Sequence, residues 1–565
     1  MNQRNANDMR TEVLHWDGRL DNREDLLPRF RDSLRGDSSN RAIAAAVYER
    51  WGTDGLVQLI GDWSLVIDDR VNRLTVLASD FAGVRPLYYH VQAGRVWWSN
   101  RLQSVVDATR ISELDEQYLA GFLTVGGYSN HTPYKGIYSV PPGHAVSVSS
   151  DRTSTRKFWE LPIGDVIRYR SERRYEEHLR ALFQEAVKAR LQNESPVLAE
   201  LSGGLDSSSV VCMAKHLVSS GAVAATRLAG VSFTWPNSLD EPFIREVESH
   251  CGISGVQISA HDVPIVTSEQ TGDAMPEPFQ PLRTALAQTA QQCGAQTILT
   301  GQNGDLIMGN WFDDSLQVAS SLRGFRLGRA CGEALAWSRI LRLPVYRILW
   351  RAFQAALPPT LTPEAIYAAP DGSYVPRSAE TSLLPGFTTR TKSASCFSNV
   401  WKQASPERRK YFYNLTMALE LRTLQIPEPL RQFDYTHPFG HRPLVEFLSS
   451  VPPEILCRPG APRRLMRLAL ADLWPGRLRD RRSKCSFSGP WQEALRPLAH
   501  LLLNDRHFHL VDHGIVDRAS VRSRLERLCV GLDCNEYQLR QIIMLELWLR
   551  NRVADGLAGH LRRAA

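Results

Sequence analysis

From residue 13 to about 106, apolar and aromatic runs of four to six residues are broken by turn-forming pairs, as in VLHWDGRLDN, GDWSLVIDDRVNRLTVLASD and RPLYYHVQAGRVWWSN. Asp-Gly steps and the DDRVNR link are hairpin punctuation, so this stretch predicts short strands in a β-rich or α+β domain ending near 155. One helix, SNRAIAAAVYERWG, interrupts them, with Gly52 as its stop. From Ser171 the period changes to 3.6: Tyr175, Leu179, Leu182, Phe183, Ala186 and Val187 share one face of a predicted helix. Then PVLAELSGG reads as a strand, SSSVVCMAKHLVSS as a helix, AGVSFTW as a strand, DEPFIREVESHCG as a helix, and AQTILTGQNGD as a strand ending in a loop. That alternation predicts an α/β fold, a parallel sheet covered on both faces. From about 311 to 396 the pattern loosens, and past 400 the chain reads as mostly helical.

Composition narrows this picture without overturning it. A chain of 565 residues is too long for one ordinary core, and 43% apolar with 22% charged residues describes a folded chain. No apolar run reaches the ~18 residues of a membrane span, and the first residues lack a basic segment followed by an apolar one, so a cytoplasmic protein is expected. Nine cysteines, widely spaced and never in a C-x-x-C pair, suggest neither a disulfide framework nor a zinc site. The formal charge of +7 comes from 59 arginines against 8 lysines, spread without basic blocks interleaved with aromatics. Nucleic-acid binding is therefore not expected. Seven arginines and one acidic residue, Glu333, lie between 323 and 351; they suit either an acidic peptide segment or a solvated helix face.

The candidate chemistry begins at SGGLDSS, residues 202–208, where a strand runs into glycines and restarts as a helix. Such a helix start offers unpaired N–H groups to an anion, and glycines let a phosphate approach the backbone. Without the lysine of a G-x-x-x-x-G-K-[ST] loop, γ-phosphate transfer is not the obvious reaction. The stretch resembles, residue for residue, the S-G-G-x-D-S pyrophosphate loop of the ATP pyrophosphatase superfamily. The resemblance implies that Ser202, Gly203, Gly204, Ser207 and Ser208 cradle pyrophosphate, that Leu201 and Phe233 are further nucleotide contacts, and that Asp206 holds Mg²⁺. The alternative is a plain strand-to-helix turn. LTGQNGDLIMGN, residues 299–310, resembles the S-G-E-G-S-D-E-x-F-G-G loop of the glutamine-dependent asparagine synthetase family. Asp305 matches that family's second Mg²⁺-pyrophosphate aspartate, and Thr300 and Gly301 match ribose contacts. The family's glutamate is replaced by Gln302, which cannot accept a proton, and Leu306 replaces an acidic residue.

Further segments are similar to the same family: SDFAGVRPLYYH and DGRLDNREDL in its glutaminase domain, and FDYTHPFGHRPLVEF and RRLMRLALADLWPGRLRDRRSKCSF in its tail. The resemblance implies a degenerate Ntn-hydrolase-like (glutaminase-type) α+β domain over 1–155. It is followed, over 165–565, by an ATP-pyrophosphatase (adenine nucleotide alpha hydrolase-like) parallel-sheet synthetase domain with a helical carboxyl-terminal part. The family's glutaminase needs an amino-terminal cysteine; here residue 2 is Asn and the first cysteine is Cys212, so glutamine is not the expected nitrogen source.

Among relatives that lack this cysteine, β-lactam synthetases and lasso peptide cyclases adenylate a carboxylate and close a ring with an amine of the same molecule. The chain looks most like the lasso cyclases. This implies ATP and Mg²⁺ as cofactors, a peptide or small carboxylate substrate, and a leader-binding protein and leader-peptide protease as partners. Lys484 matches the lysine that stabilises developing negative charge, against a solvated basic turn. Asp434 aligns with a family glutamate and is a candidate base, against an N-cap or ion-pair role, while His441 reads as structural. Two further readings stay open: an asparagine synthetase-like amidotransferase using ammonia or a small amine, and a non-catalytic relative that binds nucleotide or peptide.

Overall fold

The computed structural model describes residues 11–554, except 35, 126–129, 192–194, 225–226, 237, 268–274, 278, 310–312, 363–365, 367–381, 392–397 and 482–487. Strand β1 (Thr11–Gly18) pairs with β2 (Trp63–Asp69), and β3 (Leu74–Ser79), β7 (His144–Val148) and β8 (Thr153–Lys157) complete an antiparallel sheet in the order β1-β2-β3-β7-β8. A second sheet, β5-β4-β6, is built from β4 (Tyr88–Gln92), β5 (Arg95–Ser99) and β6 (Ile137–Ser139). Period-two alternation decides which layer each side chain enters. Leu65 and Ile67 pack with Phe30, Ile43 and Val47 of two helices, whereas Val66 between them packs with Tyr89 of the second sheet and with Leu87 and Val140 at the ends of its strands. The helix Asn40–Gly55 is capped by the Ser39 hydroxyl, which accepts from the Ala42 N–H, and it breaks at Gly52 (φ 63°), the predicted stop, before one more turn.

The second half is organised by a parallel sheet, β11-β10-β9-β12-β13, formed by β9 (Val197–Glu200), β10 (Leu228–Thr234), β11 (Ser254–Ser259), β12 (Thr297–Leu299) and β13 (Asp434–Thr436). Val197, Leu198 and Ala199 at its centre are buried, because helices cover both faces of such a sheet. From β9 the chain winds outward through the helices Leu205–Ser219 and Glu241–Cys251 to β11. It then recrosses the sheet with the helix Gln280–Gln292 to reach β12 on the other side of β9. The winding therefore reverses between β9 and β12, and ligands bind beyond the carboxyl ends of strands at such a reversal.

Three elements depart from the pattern expected above. Strand β11 is a half-exposed edge with little apolar signal, and the helix Gln280–Gln292 has a Gln- and Thr-rich outer face. Strand β13 lies within the stretch that reads as helical; it has only three residues, held by parallel pairing of 434–436 with 297–299 of β12. The loosely patterned region holds two helices, Leu327–Leu341 and Val345–Ala356, the latter buried on one face by Ile348, Ala352 and Ala355. The last helices, Ser488–Leu503, Arg518–Cys529 and Glu536–Ala554, share a core with Tyr118, Leu119 and Phe122 of the first domain. Among the described residues, no helix is long and apolar enough to cross a membrane.

The two halves meet across a buried ionic cluster. Arg19 pairs with Asp21 (2.8 Å) and Asp62 (2.6 Å) and donates to Thr436 Oγ1 (2.7 Å) of β13. Arg190 donates to the same hydroxyl (3.0 Å) and lies 3.4 Å from Asp21, which His441 Nδ1 also approaches at 3.0 Å. Removing one partner of a buried pair leaves an uncompensated charge and costs about 3–5 kcal/mol. Arg19→Met is expected to lower stability in urea titration by about that much, and adding Asp62→Asn should recover part of the loss.

Candidate functional site

A cavity of about 560 Å³ opens at the reversal between β9 and β12. Its phosphate-like end is built by two loops. After Glu200 the first turns at Gly203 (φ 72°), where an added Cβ would meet the Asp240 carbonyl oxygen at 2.8 Å, so only glycine fits. Gly204 then starts the helix Leu205–Ser219 in extended geometry with no side-chain cap, leaving the first-turn N–H groups for an anion. Within the loop the Ser202 N–H donates to Ser207 Oγ (3.1 Å) and the two hydroxyls lie 3.0 Å apart. The Ser208 hydroxyl, fully buried just below, has no hydrogen-bond partner among the described residues.

The second loop lies directly on the first. A Cβ at Gly301 would come within 2.5 Å of the Ser207 nitrogen, and one at Gly304 within 2.6 Å of the Asp206 carboxylate. Thr300 anchors this loop to β13: its N–H donates to the Thr436 carbonyl (3.1 Å), and its hydroxyl is 2.6 Å from His437 Nδ1. Burial pushes the His437 imidazole down to about 3, so it stays neutral. Asn303 takes a left-handed conformation (φ 60°) and donates to Thr423 Oγ1, while Gln302 donates to the Thr423 carbonyl. Asp305 lines the cavity beside Asp206, and Leu306 turns away into a contact with Ala418.

Cationic side chains close this end. Arg463, itself left-handed at φ 53°, grips Asp206 through both terminal nitrogens. Arg481 donates to the Gly203 carbonyl (2.7 Å), pairs with Asp240 and lies over the Phe243 ring, and Arg467 completes the wall. An uncapped helix start, small hydroxyls and three guanidiniums fit a polyphosphate. For Mg²⁺ the residues also fit: that ion takes one or two carboxylates and completes its shell with substrate phosphate and water. Asp206 and Asp305 supply the two, and among the described residues no group of three or more His, Cys, Asp or Glu forms a self-sufficient metal cage.

The structure thus brings together Leu201, Ser202, Gly204, Asp206, Ser207, Phe233, Gly301 and Asp305 as cavity lining, with Gly203, Ser208 and Thr300 shaping it from behind. Asp434 does not join them. It sits at the amino end of β13, ion-paired with Arg85 (2.7 Å) and Arg19 (3.4 Å) of the first domain, while its neighbour Tyr435 faces the cavity. His441 is buried against Asp21. Lys484 lies outside the described residues. The sequence reading missed Arg463, Arg467 and Arg481, whose signal was the tail segment with a lysine and an arginine in the family pattern. It also missed Glu200, Arg283 and Tyr435, which carry no motif.

A phosphate-type loop pair at the reversal of a parallel sheet, behind a helix-backed antiparallel sandwich, defines a two-domain α/β protein with a nucleotide-type site. The chain belongs to the asparagine synthase family, whose pattern matches residues 178–550, and a glutamine amidotransferase domain pattern matches residues 4–159. It is 26% identical over 306 residues to amidase chyE of Penicillium rubens, covering 49% of this chain and 44% of that protein. It is 26% identical over 298 residues to amidase chry2 of Gibberella zeae, covering 48% and 43%. Against asparagine synthetase [glutamine-hydrolyzing] 3 of Bacillus subtilis it is 27% identical over 219 residues, covering 36% and 34%. The chain thus spans less than half the length of these relatives.

Two outcomes follow from the geometry. Gly301→Ala, which forces the loops apart, is expected to abolish ATP binding by titration calorimetry while leaving the circular dichroism spectrum unchanged. His437 binds fewer protons folded than unfolded between pH 6.5 and about 3, so folded stability falls on acidification through that window. His437→Gln should flatten the stability-against-pH slope there in urea titrations.

Proposed function

We propose that this protein is an ATP- and Mg²⁺-dependent carbon–nitrogen ligase. It adenylates a carboxylate, releases pyrophosphate, and lets an amine displace AMP to form an amide. The observation that carries this reading is the loop pair itself, with glycines in contact, two carboxylates and three arginines at one helix start. Asp206 and Asp305 are the residues that would hold Mg²⁺, which when bound would supply neutralisation of phosphate charge. The chain's own groups do the rest: Ser202, Ser207 and the N–H groups after Gly204 hold the β and γ phosphates. Arg463, Arg467 and Arg481 stabilise the leaving anion, and Leu201 and Phe233 flank the base. Lys484 is proposed to steady the charge that develops on the acyl or phosphate oxygen.

We further infer that the amine is supplied by the substrate itself, as in lasso peptide macrolactam formation between a core amino terminus and an Asp or Glu side chain. Two features support a nitrogen source other than glutamine. No cysteine precedes Cys212, and Arg19 stands where the family's G-E-I-Y-N segment has glutamate, its guanidinium spent on the buried interface cluster. Holding both reacting groups in one cavity makes the closure unimolecular, worth up to about 7–11 kcal/mol of the barrier. This reading takes 1–155 as a non-hydrolytic support and 165–565 as the synthetase, working in the cytoplasm with a leader-binding protein and a leader-peptide protease. A second reading, an asparagine synthetase-like enzyme using free ammonia or a small amine, is favoured by the Bacillus subtilis relative. Replacement of two expected acidic groups by Gln302 and Leu306 favours a nucleotide- or peptide-binding scaffold.

With ATP and Mg²⁺, the full chain should exchange labelled pyrophosphate into ATP only when a suitable linear peptide carboxylate is present, and Asp206→Ala should abolish exchange. Turnover with aspartate and ammonia would transfer the assignment to the second reading, and silence across peptide and small-molecule panels would leave the scaffold. Glutamine hydrolysis should stay at background.

A further inference from the structure

The cavity has a second end that the phosphate loops do not occupy. There β9 contributes Glu200, β13 contributes Tyr435 and the helix Gln280–Gln292 contributes Arg283, among Trp235, Phe279 and Leu282. The three polar groups form a chain: Arg283 Nη1 donates to the Tyr435 oxygen at 3.1 Å, and the Tyr435 hydroxyl donates to Glu200 Oε1 at 3.3 Å. Accepting a hydrogen bond from Arg283 leaves the Tyr435 hydroxyl to point its own hydrogen at the carboxylate. A carboxylate has about four acceptor positions, and this bond uses one.

Four carboxylates line the cavity, and three are at the phosphate end. Asp206 is gripped by Arg463, Asp240 by Arg481, and Asp305 sits in the second phosphate loop. Glu200 is the one set against apolar side chains, and among the described residues no cation lies within ion-pair distance of it. We propose that Glu200 accepts the proton of the attacking amine, with Tyr435 and Arg283 as its positioning residues. This rests on the ligase reading of the same cavity. In the step, the nitrogen lone pair forms the C–N bond at the activated acyl carbon. The C–O bond to AMP breaks with its electron pair leaving on phosphate, and the surplus nitrogen proton passes to the Glu200 carboxylate. Burial raises this carboxyl above the ordinary glutamate range while Arg283 and Tyr435 restrain the rise, which makes it a stronger proton acceptor than a surface carboxylate.

The test uses the full chain, ATP, Mg²⁺ and a linear peptide with a free amino terminus and one Asp or Glu side chain. Glu200→Gln should keep pyrophosphate exchange within about threefold while amide formation drops by about 10²-fold or more, and Glu200→Asp should recover part of it. Hydroxylamine, which is unprotonated at neutral pH, should narrow the gap as the nucleophile. For the native protein the rate of amide formation should fall as pH drops through the raised pKa of Glu200. Tyr435→Phe, which removes a donor from the carboxylate, should move that acid limb to higher pH without changing exchange. Amide formation by Glu200→Gln at the native rate would overturn the proposal. So would loss of exchange, or a raised KM for ATP, in both Glu200→Gln and Glu200→Asp, which would make Glu200 a nucleotide contact. Absence of exchange in the native protein with every carboxylate would instead overturn the ligase reading itself.

Discussion

The Arg19 guanidinium, buried between the two domains, is the interaction on which the arrangement of the site depends. Two guanidiniums, Arg19 and Arg190, donate to the hydroxyl of Thr436, which in turn donates to Asp62 at 3.0 Å, while Asp21 lies against both guanidiniums. Each buried ion carries several kcal/mol of desolvation that only the complete set offsets. The domains therefore cannot slide without exposing a bare charge. Thr436 is fixed by this set, Thr300 is fixed by Thr436 and His437, and Thr300 begins the second loop of the cavity. The first domain thus braces the two cavity loops mechanically.

At the phosphate end, packing and electrostatics enforce each other. The two loops approach so closely that glycine is the residue that fits at 301 and 304, and this contact brings Asp206 and Asp305 to one cavity wall. Arg463 adopts a left-handed backbone to reach Asp206, a conformation that persists only where surrounding contacts over-determine it. Its guanidinium is consequently preorganised beside the loop, so little reorganisation accompanies the gathering of charge there. At the other end Glu200 sits among the aromatic and aliphatic side chains Trp235, Phe279 and Leu282. The two ends differ in charge and in the side chains around them, which suits the proposed reaction, with negative charge building at one end and a proton shed at the other.

The substitution of Arg19 for the glutamate of the family segment unites two features of the chain. It supplies the cation of the interface cluster, and it occupies a segment that the family devotes to its glutaminase domain. Asp434, ion-paired with Arg19 and Arg85, is drawn into the same interface, and Tyr435 is the residue of that strand left to face the cavity.

The sequence by itself determined the sandwich strands, the central βαβ units and the two glycine-bearing loops after β9 and β12. Each rests on local physics: period-two or 3.6 burial, turn residues, and glycines where backbone must approach backbone. Those signals are written in consecutive residues. Strand β13, the edge strand β11, the Arg463–Asp206 grip and the Glu200–Tyr435–Arg283 chain were not legible. Their partners lie 152 to 257 residues apart along the chain in the hydrogen bonds that define the site, and three residues of mixed polarity carry no period. Only the tertiary structure decided which face of β13 meets the cavity. A strand so short is held by its neighbours' hydrogen bonds and by a buried charge cluster, not by any preference of its own.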